Sequence, residues 1–191
     1  MPEIDSREHG LNCKIITGRV NISDVDEFLA SLKHIAQQYA VTIQAMDAEL
    51  IAGEEHIISA VKKAIRATER KRNITSDLGL EILLYAAGRR QIERALGMGV
   101  SKGEKKAAIV IVDASARAQR EKYLGMVAEE VKREIVIQEE PISELESEYE
   151  GNKKDKIMKF FDITEAELKA VGELKLKMLV LERVAMLEVL K

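Results

Sequence analysis

A thiol and an imidazole, Cys13 and His56, are the side chains of this sequence from which a nucleophile and its base could be drawn. No motif joins them, and a lone cysteine beside a strand packs as a small hydrophobe. His9, His34 and His56 are scattered, none with a second histidine at metal-ligand spacing. A single cysteine excludes both a disulfide framework and a cysteine-based zinc site. Asp113 follows an apolar run, where α/β enzymes place functional acids, and it serves equally as the N-cap of a following helix. The sequence holds no GxxxxGKS/T, no GxGxxG after a strand, no HExxH and no GxSxG. The expectation is a protein that is not an enzyme, with no catalytic residue, no cofactor and no metal.

Binding chemistry has more to work with. Lys62, Lys63, Arg66, Arg70, Lys71 and Arg72 place six positive charges within eleven residues, against Glu69 alone. On a helix, Lys62 or Lys63, Arg66 and Arg70 share one face, opposite Ile57, Ile58, Val61 and Ile65. Arg89, Arg90 and Arg94 form a second group just past Gly88. Such faces are either ordinary solvated surface or phosphate contacts. A further feature is the C-terminus, where twelve of the seventeen residues 174–190 are apolar. One stripe runs through Leu174, Met178, Leu181, Ala185 and Glu188, another through Leu179, Glu182, Met186 and Val189. A domain covers about one such stripe, so the other is expected to meet a partner.

The elements that must position these residues follow from periodicity and punctuation. The chain has 191 residues, net charge −3, 46 % hydrophobic and 33 % charged residues, and few aromatics. That predicts one α/β domain with an aliphatic core: a small sheet of short strands packed with helices, plus a C-terminal apolar helix. No apolar stretch approaches the ~20 residues of a membrane span, and no signal peptide opens the chain, so a soluble, cytoplasmic protein with no membrane contact is expected. Strands are predicted at 14–20, 41–46, 107–112 and 134–137, the third apolar at every position and so covered on both faces. Helices are predicted from Ser23 or Asp24, over 54–68, from Ser76 or Asp77 to Gly88, over 89–96, and after Asp113 or Ser115. Residues 1–10 read as a loose leader before a single domain over 11–191. Within it, 139–152 reads as an acidic linker, with six glutamates between Glu139 and Glu150, and 153–191 as a helical segment. There, Thr164 with Glu167 has the spacing of a capping box.

Four stretches carry a family resemblance: AGEEHIISAVKKA (52–64), EILLYAAGRRQIERAL (81–96) preceded by Ser76, KAAIVIVD (106–113) and LERVAMLEV (181–189). They resemble the PRPK-binding (TPRKB-type) subunits of KEOPS, over about residues 11–137 and 155–191. The resemblance implies an α/β fold, no activity of its own, and binding to the small KEOPS kinase subunit of the Bud/PRPK type. Other KEOPS subunits would be met only indirectly. It further implies recruitment of tRNA through its single-stranded 3′ CCA end for threonylcarbamoyladenosine modification. On that basis Lys62, Lys63, Arg66 and Arg72 are expected to take phosphates. Arg89, Arg90 and Gln91 would sit at the Gly88 break, Gln91 facing a base edge, while His56 stacks or donates. Tyr85 is the one aromatic near them for stacking, and Glu81 is expected to pair with Arg89 or Arg90. The kinase is expected on Met178, Leu179, Glu182, Met186 and Val189. A kinase-binding scaffold without RNA contact stands as the alternative.

Overall fold

Two ten-residue strands form the centre of the molecule. β1 (Cys13–Ile22) and β3 (Gly103–Val112) pair antiparallel along their whole length, from Cys13 opposite Val112 to Ile22 opposite Gly103. β2 (Thr42–Asp47) lies outside β3, and the short β4 (Gln138–Glu140) lies outside β1. The order is β2-β3-β1-β4, and every pair is antiparallel. The computed structural model describes residues 11–115, 120–147, 152–172 and 175–189. The expected leader at 1–10 and the start of the helix after Asp113 fall outside them.

The helices are α1 (Val25–Tyr39), α2 (Glu54–Glu69), α3 (Leu78–Ala87), α4 (Ile92–Ala95) and α5 (Arg120–Ile135), then α6 (Glu144–Ser147), α7 (Asn152–Phe160), α8 (Glu165–Val171) and α9 (Leu176–Val189). Side chains alternate across a strand, so the uninterrupted apolar end of β3 serves two cores. Ile109 and Ile111, with Ile16, Val20 and Ile22 of β1, face Phe28, Leu32 and Ile35 of α1 and Leu124, Val127 and Val131 of α5. Val110 and Val112, with Met46, face the other way, towards α2, α3, α7 and α9. The architecture is an antiparallel sheet between two helical layers, the α/β class the composition predicts.

Helix starts follow the expected capping chemistry. Asp24 accepts the Glu27 N–H and Asp77 the Leu80 N–H, while Thr164 and Glu167 form a reciprocal capping box. Two expectations need correction. Residues 134–137 are not a strand: Ile135 continues the inward spacing of Leu124, Val127, Ala128 and Val131, so α5 runs through it. Pairing begins only at Gln138, and Gly18 permits it, because a Cβ there would collide with the backbone of Gln138 and Glu139. The acidic stretch is also more than a solvated linker. It contributes β4 and α6, and Leu145 is buried in the core. Glu139, Glu144 and Glu146 are exposed, while Ile142 and Leu145 between them anchor the backbone.

Candidate docking helix and cationic surfaces

α9 has no single apolar face, and the structure divides its circumference. Leu176, Leu179, Val180, Val184 and Leu187 turn inward against α2 and α3. Met178 (58 % exposed), Glu182, Ala185, Met186 (43 %) and Val189 (76 %) turn outward at a spacing of three to four residues, with Leu181 half-buried beside them. Leu179 is the correction here. It lies one residue, about 100°, round the helix from Met178, in line with Leu176 and Leu187, and is 5 % exposed. The outward stripe therefore runs through Met178, Glu182, Met186 and Val189.

The position of α9 is set by Gly88 and Glu188. Gly88 ends α3 at φ 60°, and a Cβ on it would lie 3.2 Å from the Arg183 carbonyl oxygen. Glu188 receives Lys63 at 3.0 Å and Arg66 at 3.5 Å. The hydrogen bond from Lys63, above all, holds its carboxyl below the usual carboxylate range. Arg183 reaches Glu167 at 2.7 Å, tying α9 to α8.

These contacts redistribute the expected cations. Lys63 and Arg66 are engaged with α9, whereas Lys62, Arg72 and Arg90 form no salt bridge among the described residues. His56 is wholly buried and unable to meet RNA, a second correction. Its Nδ1 accepts the Ala52 N–H at 3.1 Å and its Nε2 donates to the Ala86 carbonyl at 2.8 Å, while its ring packs edge-on against Phe161. Burial is the main cause that pushes its pKa down to about 4, so it is neutral in the fold. Tyr85 is buried too and offers no stacking face. The buried Glu81 accepts the backbone N–H groups of Ile74 and Thr75, and Arg89 goes elsewhere. Cys13 is likewise in the core, its thiol pushed up to about 12 chiefly by burial, which removes it as a nucleophile near neutral pH.

The His56–Ala86 contact also sets the two basic groups apart. It joins the start of α2 to the end of α3, so the helices run antiparallel. Arg72 and Arg90 lie at opposite ends of that pair, separated by roughly the 15 Å length of α3. Gln91, exposed, begins α4 without using its side chain as a cap.

A cluster that the sequence reading missed surrounds an open cleft of about 450 Å³. Arg89, Arg94, Lys156 and Lys159 line it, with Leu50 and Phe160 as its apolar surface. Arg89 donates to the Phe160 carbonyl at 2.6 Å and to Asp162 at 2.8 Å, clamping residues 88–90 onto the end of α7. Lys156 pairs with Glu49 at 2.7 Å, and that hydrogen bond holds its pKa above the usual lysine value. Lys153, Lys154, Lys156 and Lys159 fall within seven residues. That run was the available signal, although Lys153 turns inward to bond the Leu145 carbonyl.

Among the described residues no cluster of His, Cys, Asp and Glu could hold a metal ion, and no helix is long and apolar enough to cross a membrane. No curated protein matches the chain. The family model described as Kinase binding protein CGI-121 matches residues 20–188, spanning both cores, the Gly88 break and nearly all of α9. With an α/β fold under that match and an open apolar stripe on its last helix, the chain belongs to the CGI-121 family of kinase-binding proteins.

Proposed function

We propose that this chain is the cytoplasmic, non-catalytic KEOPS subunit that docks the KEOPS kinase through α9 and brings tRNA to the complex by its 3′ CCA end. The observation that carries the kinase contact is the outward stripe of Met178, Glu182, Met186 and Val189 on a helix whose other face is in the core. Large exposed apolar patches on proteins without membrane spans mark partner sites, and thioether side chains adapt to a partner's groove. The tRNA reading is supported by Lys62, Arg72 and Arg90, cations that form no salt bridge among the described residues, with Gln91 beside Arg90. Lys63 and Arg66 would join them only in part, since both already share Glu188.

A second reading, a kinase-binding scaffold without RNA contact, draws on the same ion pairs and on the placement of Arg72 and Arg90 at opposite ends of the α2–α3 pair. One experiment decides between the two: salt-dependent binding of intact tRNA and of tRNA lacking CCA to the isolated protein. A preference for the intact form, with affinity falling steeply as salt rises, is expected. Equal, salt-insensitive binding would favour the scaffold.

A further inference from the structure

The fold sorts the methionines of this chain into two groups. Met46 and Met98 are fully buried and Met158 is 7 % exposed, so their sulfurs are shielded from an aqueous oxidant. Met126, Met178 and Met186 are open to solvent. Met178 and Met186 stand about two turns apart on the outward stripe of α9, with Glu182 between them. They are two of its three large exposed apolar side chains, Val189 being the third. Met126 belongs to α5, which packs on the opposite face of the sheet from α9. Peroxides react first with thiolates, and Cys13, the one cysteine, is in the core with its thiol pushed up to about 12 chiefly by burial. Two-electron oxidation therefore falls on the exposed thioethers. A sulfur lone pair attacks one peroxide oxygen, so that an S–O bond forms as the O–O bond breaks. The departing hydroxide takes the proton of the transferred oxygen and leaves as water. Sulfur is oxidised by two electrons and the peroxide is reduced by two. The sulfoxide is polar where a flexible apolar chain stood, and burying its oxygen in an apolar groove without a hydrogen bond is costly. With Glu182 already on the stripe, two sulfoxides leave Val189 as its one large apolar side chain.

We propose that Met178 and Met186 are a sulfoxidation site that switches kinase docking off when the free subunit meets hydrogen peroxide. The proposal rests on the docking reading of α9 given above. Docking covers both sulfurs, so the bound subunit is protected while the free one is open to attack. A methionine sulfoxide reductase, drawing two electrons and two protons from a dithiol, returns the thioether and releases water, which makes the switch reversible.

The test treats the full chain with hydrogen peroxide, removes the oxidant, maps the oxidised residues by peptide mass and then measures kinase binding. Met126, Met178 and Met186 should each gain one oxygen while Met46, Met98 and Met158 gain none, with thermal unfolding unchanged. Affinity for the kinase should fall about tenfold or more. Met126→Leu should lose affinity on oxidation as the wild type does. Met178→Leu with Met186→Leu, which keeps apolar volume and cannot be oxidised, should hold its affinity through the treatment to within about twofold. Methionine sulfoxide reductase should restore binding by the oxidised wild type. In the preformed complex, Met178 and Met186 should oxidise more slowly than in the free subunit, and Met126 at the same rate. Undiminished affinity with both sulfoxides present would overturn the switch, as would peroxide sensitivity in the double leucine variant, loss of affinity through unfolding, or failure of the reductase to restore binding. Each of those leaves docking on α9 standing. Equal oxidation of both stripe methionines in the free and the bound subunit would instead refute docking through this stripe, and the switch with it.

Discussion

Both ring nitrogens of His56 are engaged inside the core, and protonating Nδ1 would abolish its acceptance of the Ala52 N–H. Its pKa in the fold is about 4 against an ordinary 6.5, so between those pH values the unfolded chain binds a proton that the folded one does not. Stability therefore falls as pH drops from about 6.5 to about 4, by about 1.4 kcal/mol per unit and up to about 3 kcal/mol in all. Lys153, a nearby positive charge, pushes in the same direction. In urea unfolding at pH 6.5, 5.5 and 4.5, His56→Gln should show a shallower loss of stability than the wild type; parallel curves would contradict the buried, neutral state. The burial of His56 was legible, since 56, 60, 64 and 67 are spaced on one helical arc and all four face the core. Reading the residue by its chemistry concealed that arc. Glu81 is a different matter: its partners are backbone N–H groups of a loop, which side-chain spacing does not reveal.

Five helix ends follow one design in this protein. The N–H of Val41, Arg72, Arg89, Ile137 or Ile163 reaches back five residues to a carbonyl in the last turn of its helix. The residue before each has positive φ: Ala40, Lys71, Gly88, Val136 and Asp162. Only one of the five is glycine, which is why only Gly88 was readable as a stop. Val136 is the most strained, a β-branched residue at φ 51° that is 80 % exposed and so contributes little packing. Val136→Gly should raise the unfolding free energy by about 1 kcal/mol, measured by denaturant titration. Gly88→Val should lower it by about 2 kcal/mol, because left-handed strain adds to a tight contact with the Arg183 backbone. The same change presses on the backbone of α9 at Arg183, so it should weaken kinase binding without touching the outward stripe.

At the scale of the whole molecule, the outward stripe of α9 and the cleft use different parts of the surface. Met178, Glu182, Met186 and Val189 face away from the core on α9, while the cleft is walled by α4 and α7. Met186→Glu should abolish co-purification with the kinase and leave tRNA affinity within about twofold, because a charge buried at an apolar contact is strongly unfavourable. Loss of both activities in a protein with unchanged thermal unfolding would mean that the two surfaces are one. The double-sided sheet was legible from the apolar run of β3, and the two-faced terminal helix from its composition. The cleft was not, since its walls meet across 71 residues between Arg89 and Phe160. Periodicity reports which face of an element is buried, and says nothing about which distant element covers it.

The pairing of β1 with β3 bears on how the chain acquires its fold. Ile22 lies opposite Gly103, so the two central strands close a loop over residues 23–102, and most of the loop-closure entropy must be lost before their contacts stabilise anything. During synthesis, β1 leaves the ribosome with both edges vacant and stays so until β3 has followed it. Refolding from denaturant should accordingly take milliseconds to seconds, far slower than the helix content alone would suggest. A chain still waiting for that pairing presents a β-branched segment with unpaired edges, the kind of surface through which incompletely folded chains aggregate.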